Sequence, residues 1–329
     1  MGMSLPEKNL KTAIISLVVS FVVLALKTKA YYATHSLGAL SDALETVINV
    51  ITAFVALYAV KVAAEPADEN HPYGHGKMEY FSAAFEGGLI FFAALAILFK
   101  AIESFFVGTQ VENIEAGFLY LTLATVINLL TGLHLLFAGR AQKSEALKAS
   151  GKHVLSDVIT TVGIVVGLGL VKLTGQLWID SVVALLVGLW LGFEAYKIVR
   201  SNSAALLDEA DEESLDELAG VIQKHRTNAV IDIHNLRMIR SGHFHHIDAH
   251  MVIPEFWDIQ KAHQMAHEFE SQVVSEYQYD GEFAFHLDPC QQLYCRLCSI
   301  ENCHLRKTIF ENQRQLTKEH MKQGPQYSK

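Results

Sequence analysis

Six apolar segments, each long enough to cross a bilayer, occupy most of the chain between residues 11 and 199. A backbone inside hydrocarbon must satisfy its own N–H and C=O groups, which leaves helices or closed barrels. Unbroken apolar runs without two-residue alternation select helices. They are expected over residues 11–34, 37–62, 80–106, 115–138, 153–174 and 178–199. Of the 329 residues 51% are hydrophobic and only 19% charged, as a polytopic membrane protein with a soluble part requires. The opening "MGMSLPEKNLK" leads into the first run without a small-residue cleavage site. It reads as a first transmembrane helix, not a removed signal peptide. Lys27 and Lys29 interrupt that helix and must either snorkel to an interface or face other helices.

The loops set an orientation. Lys8, Lys11, Lys61, Lys77, Arg140, Lys143, Lys148, Lys152, Lys197 and Arg200 fall on one side of the bilayer. The excess of cations there places both termini in the cytoplasm, in a multi-pass protein expected in a bacterial inner membrane. The net charge of −9 argues against a nucleic-acid surface.

Beyond Arg200 the composition changes. An acidic helical stretch, "LLDEADEESLDELAGVIQKH", precedes two strand-like runs, "AVIDIHNLRMIRSG" and "FHHIDAHMVIP". A second helical stretch and the short strand "EFAFHLD" follow. The order αββαβ suits a small α+β domain with an antiparallel sheet and helices on one face. The expected organisation is a six-helix membrane domain over 1–205, a cytoplasmic α+β domain over 206–290, and a polar tail over 291–329.

Several polar groups stand where a fold alone does not need them. In the second apolar segment "SDALETVIN" carries Asp42, Glu45 and Asn49, and in the fifth "KHVLSDV" carries His153 and Asp157. Glu45 and Asn49, and His153 and Asp157, are each four residues apart and share a helix face. Intramembrane carboxylates are costly and usually functional, so Glu45, Asn49, His153 and Asp157 make a candidate transport site for a metal ion. An interhelical hydrogen-bond network is the alternative. The link "DENHPYGHGK" offers Asp68, His71 and His75, either as ligands or as helix caps. The soluble part offers His234, His250, His263, His267, His286 and Asp288, with the run His243, His245 and His246. All four cysteines, Cys290, Cys295, Cys298 and Cys303, lie in the tail with the spacing C-x4-C-x2-C-x4-C. They could hold zinc, an iron–sulfur cluster or nothing.

Together "SLGALSDALETVIN", "DENHPYGHGKMEY", "HVLSDV", "HNLR" and "HLDPC" resemble, in order, the marks of the cation diffusion facilitators, divalent-metal/proton antiporters. The resemblance covers about residues 10–290. It implies six transmembrane helices, a cytoplasmic metallochaperone-like domain, a homodimer in the lipid bilayer, and protons as counter-substrate. It implies the transport and loop ligands named above, His234, His250, His263, His286 and Asp288 as cytoplasmic ligands, and a charge interlock between subunits from Lys77 to Asp208. The family usually has Asp or His at the position of Glu45 and Asp at that of Asn49, so this chain departs from the pattern there. The expected activity is export of a divalent transition metal, with Zn²⁺ first and Fe²⁺, Mn²⁺ or Co²⁺ as alternatives. A sensor or scaffold of the same fold is the rival. An enzyme is not expected, since no nucleophile motif stands outside the metal clusters.

Overall fold

The computed structural model describes residues 5–108, 111–141, 145–301 and 303–324. Lys143 lies outside them, as do the side chains of residues 5–10, 13, 145, 146 and 149. The chain divides into two units, Met1–Leu206 and Leu207–Lys329.

The first unit contains α1 (Leu5–Thr34), α2 (Leu37–Ala63), α3 (Lys77–Val107), α4 (Ile114–Ala141), α5 (Glu145–Thr174) and α6 (Trp178–Leu206). Among the described residues these six helices are long and apolar enough to cross a membrane. Their outward faces carry bare aromatic and aliphatic groups such as Phe92, Phe99, Leu130 and Leu186. Water would not tolerate so much continuous apolar surface, and lipid requires it. Small residues line the inward faces. A Cβ on Gly151 of α5 would stand 2.7 Å from the Leu136 backbone nitrogen of α4. Only glycine allows that approach, and dispersion between close backbones holds helices together where the surrounding lipid is equally apolar. Ala30, Ile90, Ala94, Leu121, Ile164 and Leu191 fill the remaining space.

The second unit contains α7 (Glu212–His225), β1 (Asp232–Ser241), β2 (Phe244–Ile253), α8 (Ile259–Glu276), β3 (Asp280–Pro289), a 3₁₀ turn (Gln292–Arg296) and α9 (Lys318–Lys322). Asp211 caps α7 by accepting from the Glu213 and Ser214 amides, and Asp258 caps α8 through the Lys261 amide. The strand order is β1-β2-β3. β1 and β2 form the expected hairpin, but β2 and β3 run parallel, so the sheet is mixed rather than antiparallel. The reason is α8: a helix of 18 residues carries the chain back to the starting edge of β2, and such a crossover yields parallel strands. Leu218, Ile222, Ile233, Ile247, Met251, Phe269 and Val273 form the core. Each such side chain stabilises the domain by about 1.5–3 kcal/mol on burial.

The tail is also more than a polar appendage. Leu316 and Met321 are buried in this same core. The Asn235 amide donates to the Gln323 carbonyl, and His320 Nε2 lies 2.7 Å from Asp232 Oδ1.

Candidate metal centres

The helix pitch places Asp42 and Glu45 of α2 on one inward face, and α5 brings Asp157 against them. One carboxylate oxygen from each of the three lies within 4.8 Å of the others. None of the three is more than 1% exposed. Two ionised carboxylates about 5 Å apart repel by about 3 kcal/mol at an effective dielectric of about 20, so the trio calls for a cation. Part of that cation is covalently present. Lys27 of α1, wholly buried, donates from Nζ to Asp42 Oδ1 at 2.7 Å and to Asp157 Oδ2 at 2.8 Å. Thr161 donates to Asp42 Oδ1 and Asn128 to Asp157 Oδ2. Asp42 Oδ2, Asp157 Oδ1 and both Glu45 oxygens have no hydrogen-bond partner. With these four buried oxygens lacking donors, Asp42, Glu45 and Asp157 form a group that could hold a metal ion.

Asn49 and His153 bond to each other. His153 Nε2 lies 2.6 Å from Asn49 Oδ1. The amide oxygen can only accept, which puts the imidazole proton on Nε2. Glu86 of α3 also faces this pair, its Oε1 4.0 Å from His153 Nε2. These three line a pocket together with Ser16, Ser20 and Ser150. Of the four transport residues expected from sequence, the structure thus groups Glu45 and Asp157 with Asp42, and pairs Asn49 with His153.

The loop residues converge as well. Asp68 Oδ1 accepts from the amides of Asn70 (2.8 Å) and His71 (2.6 Å). The His71 amide bond, first among these contacts, holds the Asp68 carboxyl below its ordinary pKa. The His71 and His75 rings stand 4.2 Å apart, and the Asp68 carboxylate faces both. Gly74, at φ +74°, supplies the left-handed residue that the reversal needs. His75 Nδ1 has no partner.

In the soluble unit the sheet register places His234, His250 and His286 side by side across β1, β2 and β3. Asp288, two residues on from His286 and therefore on the same face, reaches His250 Nδ1 at 3.0 Å and His234 Nε2 at 3.4 Å. Burial holds the His234 imidazole below its usual pKa, and neither of its ring nitrogens has a hydrogen-bond partner. A neutral, unpartnered imidazole beside a carboxylate is suited to a divalent ion. His263 is not brought into this group. It sits on the exposed face of α8 beside His267.

The cysteines do not form a comparable cluster. Among the described residues no three of them bring ligand atoms within 4.8 Å. Cys298 is buried with Ile231, Val252 and Tyr294, and Cys290 packs against the same group. Arg306 braces the turn by donating to the carbonyls of Cys295, Cys298 and Ile300.

The comparisons with known proteins address the same two units. The family model for the cation efflux transmembrane domain matches residues 13–207, and that for the cytoplasmic domain of cation efflux proteins matches residues 210–290. The chain belongs to the cation efflux family. It is 33% identical over 283 residues to an uncharacterised transporter of Synechocystis sp., covering 85% of this chain and 90% of that protein. It is 28% identical over 295 residues to the metal cation efflux system protein CzcD of Cupriavidus metallidurans, covering 87% and 90%. It is 24% identical over 286 residues to the manganese efflux system protein MneS of Bacillus subtilis, covering 87% and 97%. This cation efflux protein is therefore a multi-pass member of a transporter family and not an enzyme.

Sequence reading left Lys27, Glu86, Asn128 and Thr161 out of the site, and noted Asp42 without placing it there. The signal available for Lys27, Glu86 and Asn128 was the same: a lone polar residue within an apolar span, where exposure to lipid is costly. Their convergence depends on helix rotation, which the sequence does not state.

Proposed function

We propose that this cation efflux protein exports a divalent transition-metal ion from the cytoplasm in exchange for protons. In this reading Asp42, Glu45 and Asp157 bind the ion, and Asn49, His153 and Glu86 line its approach. The observation that carries the reading is the set of buried carboxylate oxygens without donors, inside a six-helix membrane domain. Carboxylates hold either a metal ion or protons, so the two cargos compete for one site, and alternate opening to each side couples their flows. An all-oxygen set favours harder ions, which puts Mn²⁺ or Fe²⁺ ahead of Zn²⁺. The likeness to a manganese efflux protein supports the same order. His234, His250 and Asp288 would bind cytoplasmic metal in the soluble unit, with His286 beside them. Two chains would associate through that unit, and Lys77 of one would pair with Asp208 of the other.

Flux in proteoliposomes across a panel of Mn²⁺, Fe²⁺, Co²⁺ and Zn²⁺, with an imposed pH gradient, tests this. Wild type should move metal faster with protons supplied on the opposite side, and Asp157→Ala should lose at least 90% of the flux. Undiminished flux in Asp157→Ala would place the site elsewhere. One observation favours a sensor that does not transport: Asn49 and His153 already satisfy each other. A sensor would bind metal and move none in the same assay.

A further inference from the structure

Lys27 is a buried ammonium inside the group of carboxylates assigned here to the transported ion. We propose that Lys27 is a tethered cation that competes with the metal: it holds Asp42 and Asp157 while the site is empty and withdraws as the ion enters. The proposal rests on the metal-site reading above and deepens it.

Three observations carry it. First, the ammonium contacts the same side chains as the proposed cargo, at 2.7 Å and 2.8 Å, and is 0% exposed. Two cations cannot share those oxygens at contact distance without strong repulsion. Second, the ammonium satisfies the site incompletely. It takes one oxygen from each aspartate and leaves Asp42 Oδ2, Asp157 Oδ1 and both Glu45 oxygens without donors. A divalent ion drawing on all three carboxylates offers what the lysine does not, so displacement is favourable. Third, α1 provides a direction for withdrawal. Ser16, Ser20, Val23 and Lys27 follow one another at helical spacing, and Ser16 and Ser20 line the pocket beside Asn49, Glu86 and His153. The lysine stem is long and flexible and ends in a compact charge, so its amine can move several ångströms while α1 stays fixed.

A metal-free transporter without this cation would hold its carboxylates open and bind its cargo more tightly. With it, the site has a built-in occupant that lowers affinity and speeds release. Lys27 is thus a positioning and affinity-setting residue, not a ligand.

The test uses the full chain in detergent, with Mn²⁺ as the probe. Binding is followed by calorimetry in wild type, Lys27→Gln, Lys27→Arg and Asp157→Ala. Lys27→Gln should bind Mn²⁺ at least tenfold more tightly than wild type and turn over more slowly in proteoliposomes. Lys27→Arg, which keeps the charge, should stay within threefold of wild-type affinity. Equal or weaker binding in a monodisperse Lys27→Gln protein overturns the proposal. If that variant does not fold, the wild-type chain decides: modification of Lys27 by a small amine-reactive acylating reagent, read by mass spectrometry, should rise when Mn²⁺ is added. No rise overturns the proposal. Asp157→Ala separates the metal site from the tethered cation. If it binds like wild type, the site reading fails and takes this proposal with it. If it loses the ion while Lys27→Gln matches wild type, only the tethered cation is lost.

Discussion

His245 shows how one residue of the soluble unit ties stability to pH without touching metal. It is 1% exposed, its Nδ1 lies 2.8 Å from the Tyr277 hydroxyl, and its ring stacks on Tyr279. Burial, with the positive charge of Arg240 nearby, pushes its pKa down to about 4 from 6.5. The unfolded chain therefore binds a proton that the folded chain refuses. The stability from this residue is complete above pH 6.5 and is lost as pH falls from 6.5 towards 4. A shift of that size corresponds to about 3 kcal/mol. The unfolding temperature of the wild type should drop over this window, and His245→Phe should flatten the drop. Equal slopes in the two proteins would show that His245 is not the responsible group.

At the scale of elements, α2 carries two of the three carboxylates, and its start is fixed from α6. Asp180 accepts from the Ser36 hydroxyl at 2.6 Å and from the Leu37 amide at 2.7 Å, which caps α2 and places a negative charge at its N-terminus. Removing it leaves buried donors unsatisfied, at about 1–3 kcal/mol. Asp180→Ala should lower the unfolding temperature by a few degrees and reduce flux less than Asp157→Ala does; an unchanged unfolding temperature would dismiss the cap. The existence of these helices was legible because lipid thickness demands long apolar runs. Their ends were not, because helical hydrogen bonding continues past the apolar part: α5 begins at Glu145 and α6 runs on to Leu206. The ligand pairs on α2 and α5 were visible as residue types in the sequence. Their partition was not, since Asn49 satisfies His153 while Glu45 turns towards Asp42 and Asp157. The parallel pairing of β3 was legible but missed: the helical stretch between the second and third strands is a crossover, and a crossover returns the chain to run parallel.

At the scale of the whole molecule, three groups among the described residues could hold a metal ion: the carboxylates of the membrane unit, Asp68 with His71 and His75, and His234 with His250 and Asp288. Their surroundings differ. The carboxylates are wholly buried in helices that cross the membrane, where an ion must pass if it is to be moved. In the loop group Asp68 and His71 are half exposed while His75 is mostly buried; the group offers one carboxylate and two imidazoles, so water or a neighbouring group must complete its shell. An incomplete, open site exchanges ions readily and suits loading or bracing the loop, not the crossing itself. The double substitution His71→Ala with His75→Ala should therefore lower the number of bound ions by one per chain, read by elemental analysis of the purified protein. It should slow flux severalfold without abolishing it. Asp157→Ala should do the reverse, abolishing flux while the loop and soluble-unit ions remain. Equal metal content in the double mutant would remove the loop as a binding site. Complete loss of flux in it would move the loop into the transport step, in conflict with a crossing that needs its ligands within the membrane.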